Sequence, residues 1–267
     1  MWRHVAIFGA YLAQNLKIRL GYRQDFIAQT LGTLVYGVVN ITLLWVLLTK
    51  APSLRGWSFW EVVFFYGFGE LTFSLFSVFL FSGLQNMPRT YILGGGLDRM
   101  LVRPLNPLFQ VAMENLNLND LVITLKGLII IAVSQHFLPQ AARLDTWSSA
   151  AALFLMAPGG GLVYAGAFLA VESLTFWFKS PDGVLQPLYR IIDYSRYPLT
   201  IYPPAVRVFF SWVLPFAFTA FYPSVYFLRP VAGAAFLLLT PVAGVLTFAG
   251  GYAVWRAGLA RYESSGS

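Results

Sequence analysis

Apolar residues are arranged along this chain in long blocks, each near the ~20 residues a helix needs to cross about 30 Å of hydrocarbon. Phe26–Thr49 is the first block, bracketed by Asp25 and Lys50. Phe59–Gly83 is the second, with Trp57 and Trp60 at its start as in an interfacial aromatic belt. Leu116–Phe137 is the third, interrupted by Asp120 and Lys126. Trp147–Phe178 is the fourth, and Pro158-Gly159-Gly160-Gly161 predicts a kink in it. Val231–Trp255 is the last, ended by Arg256.

Between the fourth and last blocks the pattern allows two readings. In one, Ala205–Tyr222 spans. In the other, Gly183–Tyr202 spans with Arg190, Asp193 and Arg196 facing protein, and Pro204–Leu228 dips into the bilayer and returns. The clean apolar run Val208–Ala220 is only 13 residues long, a length more often re-entrant than spanning. Pro203, Pro204, Pro215 and Pro223 suit a broken dip better than a continuous helix.

Residues 1–23 predict an amphipathic helix lying in the interface. Trp2, Val5, Phe8, Leu12, Leu16 and Leu20 share one side, with Arg3, Gln14 and Lys17 opposite. Arg3, Lys17, Arg19 and Arg23, and the lack of an unbroken apolar core, argue against a cleavable signal peptide.

Composition agrees with the blocks. Apolar residues make up 58% and charged residues 11% of the 267, against about 45–50% and 25% in soluble domains. Mean hydropathy is +0.66. The expected fold class is therefore an all-α integral membrane protein, one domain over 1–267, with six transmembrane helices under the second reading (26–49, 59–83, 116–137, 147–178, 183–202, 231–255). Net charge is +7. Ten of the 18 basic residues fall on the side of the N-terminus and the 84–115 connection, five on the other, and Lys126, Arg190 and Arg196 within spans. The excess marks the first side as cytoplasmic and places both termini there.

Chemistry of the bond-making kind is not expected. There are no cysteines, and His4 and His136 stand alone, so neither a thiolate site nor a histidine metal cluster is predicted. Gly94-Gly95-Gly96 is followed by Leu97-Asp98-Arg99 and not by Lys-Ser or Lys-Thr, so it is not a phosphate-binding loop. No catalytic residue, metal or cofactor is assigned to this chain. Ionisable residues inside spans are costly and face protein or water. Glu70, Lys126, Glu172, Arg190, Asp193 and Arg196 are the candidates for a polar interior or pathway, with Glu70–Lys126 and Glu172–Arg190 contacts expected.

Four stretches carry a resemblance: Lys17–Phe26 (KIRLGYRQDF), Gly94–Pro107 (GGGLDRMLVRPLNP), Tyr197–Arg207 (YPLTIYPPAVR) followed by Leu214-Pro215 and Tyr222-Pro223, and the tail Arg261–Ser267 (RYESSGS). In order and spacing the chain resembles the permease subunits of type-2 (ABC-2) ABC exporters, in a small branch of bacterial permeases. The resemblance implies an N-terminal interfacial helix, six spans, and re-entrant helices between spans five and six. It implies that Met87–Arg103 is a coupling segment for a separate ATPase, with Leu97, Asp98, Arg99, Met100 and Arg103 in contact. A smaller coupling corner follows at Phe178–Gly183, with Lys179 and Asp182. The implied partners are two ABC ATPase subunits that hold ATP and Mg, and a second permease chain in a homo- or heterodimer. The implied cargo is an amphiphilic small molecule, lipid or peptide, exported across a bacterial plasma (inner) membrane, with no role for nucleic acid. A secondary transporter or channel subunit is the alternative. It would call for internal repeats and ion ligands, which the sequence lacks.

Overall fold

A computed structural model describes residues 8–9, 11–15, 17, 23–50, 53–139, 144, 146–178, 187–192, 197–229 and 233–263. Among these the chain is helical, without a named strand. The long helices are α1 (Arg23–Lys50), α2 (Phe59–Phe76), α5 (Leu121–Phe137), α6 (Trp147–Ser173) and α9 (Phe236–Leu259); the short ones are α3 (Asp98–Leu101), α4 (Pro107–Glu114), α7 (Pro204–Val208) and α8 (Phe221–Leu228).

Local chemistry sets the helix ends. Asp25 in the first turn and Lys50 in the last complement the dipole of α1. Ser58 and Glu61 form a reciprocal capping box on α2, and Thr146 and Ser149 do the same on α6. Asn106 caps α4 ahead of Pro107, whose missing N–H is free of cost at the first helical position.

Among the described residues five helices are long and apolar enough to cross a membrane: Gln24–Lys50, Phe59–Leu93, Leu118–Phe137, Trp147–Phe176 and Phe236–Leu259. The second departs from the expected end at Gly83. It runs on through a π-turn (Ser77–Phe81), an α-turn (Ser82–Asn86) and a second π-turn (Met87–Leu93). The fourth stays helical through Pro158 as far as Ser173. Of the fifth expected span, 183–202, residues 187–192 and 197–202 are described: 187–192 are helical and Leu199–Ile201 form a 3₁₀ turn. Of the N-terminal segment only residues 8–9, 11–15 and 17 are described, and these are helical.

Packing centres on α2. Its span is 78% buried, whereas those of α1 and α9 are 17% buried. Gly67 of α2 faces Ile130 and Ile131 of α5, and Gly127 of α5 faces the backbone of Leu71. On the other side Gly160 of α6 meets Thr72. The α6–α9 pair is closer still: a Cβ at Gly159 would stand 2.8 Å from the Cα of Pro241, and one at Gly251 2.9 Å from the carbonyl carbon of Gly166. Gly159 and Gly166 recur at the seven-residue spacing of Gly244 and Gly251, the small-residue seam by which membrane helices gain van der Waals contact without a hydrophobic driving force.

Segment 197–229 forms a proline-broken hairpin. α7 continues as a π-turn to Val213; Leu214-Pro215 break it; a 3₁₀ turn (Phe216–Phe218) leads to α8. Its apolar helix Pro204–Val213 is too short to span. The Trp57 indole N–H donates to Thr200 Oγ1 at 3.0 Å, and Arg229 pairs with Glu61. Midway, Thr72 Oγ1 donates to the Thr219 carbonyl at 2.9 Å. Thr72 lies eleven residues, roughly 16 Å of helix, beyond Glu61. The hairpin therefore enters and leaves at the Trp57 end of α2 and reaches about halfway along the bundle.

Candidate functional site

Two regions carry polar groups at unusual places. The first is the end of the bundle opposite Trp57. There α2's continuation stops at Leu93, and the chain turns through Gly94–Gly96. Gly95 takes φ +71°, a conformation that excludes most side chains. The Gly96 and Leu97 amides close the turn on the Thr90 and Tyr91 carbonyls at 3.1 and 3.0 Å. α3 then begins at Asp98, so the lever after the glycines is one helical turn long, and the expected segment 87–103 divides into the tail of span two and this lever.

The candidate contact residues do not share one face. Leu97 and Met100 are fully buried, held inside the core with Tyr91 and Val111. They are not surface contacts, contrary to expectation, because the short helix lies flat on the bundle and turns its apolar side inward. Arg99 and Arg103 are exposed, as are Leu101 and, at 84%, Val102. Asp98 is half-buried and sits by Tyr262, whose hydroxyl is pushed up to about 12 by burial and then by the Asp98 carboxylate. Lys179 and Asp182 lie outside the described residues.

Sequence reasoning missed what holds this lever. Glu114, on α4, accepts from Arg99 Nη2 at 2.6 Å and stands 3.7 Å from Arg103 Nη1. Gln110, fully buried on the same helix, donates from Nε2 to the Met100 and Leu105 carbonyls at 3.0 and 3.2 Å. Asn115 donates to the Tyr91 hydroxyl at 2.6 Å, and Asn106 to the Tyr252 hydroxyl at 2.8 Å. The only signal in the sequence is the four-residue spacing that puts Gln110 and Glu114 on one side of a helix directly after the lever. A groove of about 280 Å³ lies beside it, between Ile92–Leu93, Thr175–Trp177 and Arg261–Glu263.

The second region is the middle of the bundle. Lys126 Nζ of α5 sits 2.8 Å from Glu70 Oε2 of α2, the two side chains 7% and 6% exposed. Tyr36 of α1 offers its ring at 6.0 Å, and Gly37 leaves room for the lysine stem, which a Cβ there would approach to 3.0 Å. Around the pair, Thr124 donates to Ser74 at 2.9 Å, and Ser77 donates to Asp120, just before α5. The other expected pair is absent: buried Glu172 accepts from the Tyr189 hydroxyl at 2.9 Å, while Arg190 is exposed. One residue of helix separates Tyr189 from Arg190, and that rotation of ~100° takes the guanidinium off the buried face. Asp193 and Arg196 lie outside the described residues. Phe68 and Phe76 are buried in aromatic packing, Phe73 is half-buried and Phe79 is exposed. A void of about 10 Å³, room for one water, is lined by Gly69, Glu70, Phe73, Tyr164, Ile192 and Ala220 among others.

Among the described residues no group of three or more His, Asp or Glu could hold a metal ion. The fold and these sites define a multi-pass helical membrane protein whose conspicuous features are a short lever at one end and a broken hairpin at the other. The chain belongs to the ABC-2 family: the family described as ABC-2 family transporter protein matches residues 34–266. It is thus a membrane permease of an ABC transporter, a family that works with an ABC ATPase. No curated protein matches the chain. No solved structure matches it either.

Proposed function

We propose that this chain is one permease half of an ATP-driven exporter and that Asp98–Arg103 receives the stroke of a separate ATPase subunit. The observation that carries the reading is the split lever. Arg99, Leu101, Val102 and Arg103 face outward, while Leu97 and Met100 of the same turn are buried. A push on the exposed side is thereby delivered to the core, and Gln110 and Glu114 keep the lever from slipping. The buried pair of residues transmits and the exposed ones dock.

In this reading the lever end is cytoplasmic, as are both termini, and the hairpin 204–228 is re-entrant from the outer side of the inner membrane. Two ATPase subunits bind ATP and Mg; the permease, paired with a like or related chain, supplies two packing states whose balance they bias. The cargo is amphiphilic. Lys179 and Asp182 add the second coupling corner, and Glu70, Lys126 and Glu172, with Asp193 and Arg196, form the polar interior.

Affinity purification of the tagged chain from its own membranes tests this. An ATPase subunit should co-purify, and Val102→Asp should remove it while the permease stays monodisperse. A permease that purifies without any nucleotide-binding partner, or that hydrolyses ATP alone, overturns the proposal.

A further inference from the structure

We infer that the groove beside the lever is a seat for a phospholipid whose headgroup carries both a phosphate and an ammonium, as a phosphoethanolamine lipid does. The groove lies at headgroup depth. The second, fourth and last spans all end beside it, at Leu93, Phe176 and Leu259. The last of these, α9, has 24 residues, roughly 36 Å of helix, so its end clears the ~30 Å of hydrocarbon. Trp177 and Leu93 on the groove wall are 36% and 45% exposed. An outward-facing tryptophan at this level is the usual mark of the membrane interface.

The lining matches that headgroup part by part. Three rings contribute to the wall: Phe176 stands at 88° to Trp177 and 81° to Tyr262, with centroids 6.3 and 6.2 Å apart. Gly258 leaves room for the Phe176 ring, so α9 packs against it and holds it in place. Aromatic rings grouped around a pocket attract an organic cation. Glu263 lines the same groove, and Asp98 sits by the Tyr262 hydroxyl, so carboxylates add to that preference. The carbonyl ends of three helices add to it as well, since each carries partial negative charge. A bare cation is still not the match, because Arg261 also lines the groove. A guanidinium binds phosphate through charge-assisted hydrogen bonds. Thr175 is on the wall and 3% exposed, and its hydroxyl has no hydrogen-bond partner among the described residues. A turn about its χ1 offers a phosphate oxygen a second donor. Ile92 and Leu93 supply apolar surface for the start of an acyl chain. The volume of about 280 Å³ is close to the ~300 Å³ at which small-molecule pockets begin. A ring wall, a carboxylate, a guanidinium and an apolar flank together describe a zwitterionic amphiphile. An anionic lipid leaves the rings and Glu263 unused, and a lysine from a protein partner leaves Arg261 opposed.

To test this, the full chain is reconstituted in vesicles of equal parts phosphatidylethanolamine and phosphatidylglycerol and extracted in mild detergent. Native mass spectrometry then reads which lipid stays bound. The parent should retain phosphatidylethanolamine, one per chain, in preference to phosphatidylglycerol. Trp177→Ala and Glu263→Gln each remove one feature from an exposed position. Each should lower that retention about two- to fivefold, the factor a solvent-exposed cation–π contact or ion pair carries. Glu263→Arg places two cations in the groove and should turn the preference to phosphatidylglycerol. Equal retention of both lipids by the parent overturns the inference; so does a preference that none of the three variants changes. A competition arm separates the lipid from its soluble headgroup. Free O-phosphoethanolamine has no chain to lie on Ile92 and Leu93, so at equal concentration it should not displace the lipid; displacement assigns the groove to a soluble ligand and overturns the inference. No ATPase or cargo enters the measurement, so its result is independent of the exporter reading.

Discussion

Replacing Glu70 by Gln keeps the shape of the side chain and removes its charge. Lys126 then sits in the bundle at 7% exposure, with the Tyr36 ring at 6.0 Å as its remaining electrostatic contact. A cation–π contact at that distance contributes of order 0.5–1 kcal/mol. Stranding one partner of a buried pair costs about 3–5 kcal/mol. The net loss is therefore a few kcal/mol, and at about 2–4 °C per kcal/mol the unfolding midpoint should fall by roughly 6–15 °C. The assay is thermal denaturation of the detergent-purified chain, followed by intrinsic tryptophan fluorescence. The double variant Glu70→Gln/Lys126→Met removes both charges and should recover most of the loss, since neutral packing residues often substitute for a buried pair without penalty. A midpoint for Glu70→Gln within a degree or two of the parent would refute the reasoning, and so would a double variant that loses the sum of its parts.

The remaining predictions are these. Gly251→Ala forces a Cβ against the Gly166 backbone and should cost at least about 1–3 kcal/mol, whereas Gly250→Ala, which meets open space, should change stability by less than about 0.5 kcal/mol; their denaturation midpoints decide it. Glu114→Gln should leave stability within about 1 kcal/mol, because Arg99 and Arg103 are half-exposed, yet a spin label at Val102 should become more mobile; an unchanged spectrum counts against the clamp. Tyr262 keeps its proton to about pH 12 in the fold but only to about 10 when unfolded. Its contribution is complete below pH 10 and is lost as pH rises from 10 to 12; Tyr262→Phe should flatten that part of the stability profile.

Much of the fold is legible in the sequence because burial in lipid demands length and apolarity, which are one-dimensional quantities. The caps were not read there: Ser58 before Phe59 and Asn106 before Pro107 show their role only in the folded helix ends. The Glu70–Lys126 partnership is readable for the same reason: two ionised groups inside neighbouring spans have few other places to go. The lever was harder. Leu97 and Met100 look like docking residues in the sequence because apolar residues beside arginines read equally well as a sticky surface or an inner face. Glu172 and Arg190 failed as a pair for a similar reason, as spacing alone does not say which way a side chain points when a tyrosine hydroxyl competes for the same carboxylate.

By itself, then, the sequence determined a helical membrane protein with five clear apolar blocks, no recognisable catalytic or metal-binding motif, and a glycine break ahead of Asp98. Those follow from local rules: helix length against bilayer thickness, proline and glycine geometry, the presence or absence of ligating side chains. Only the tertiary structure decided that α2 lies at the centre, that Glu114 and Gln110 brace the lever, and that the hairpin returns to the end it started from. The contacts Trp57–Thr200, Thr72–Thr219 and Glu61–Arg229 join residues more than 140 positions apart, and no periodicity encodes which distant carbonyl a buried hydroxyl will find once the helices have packed.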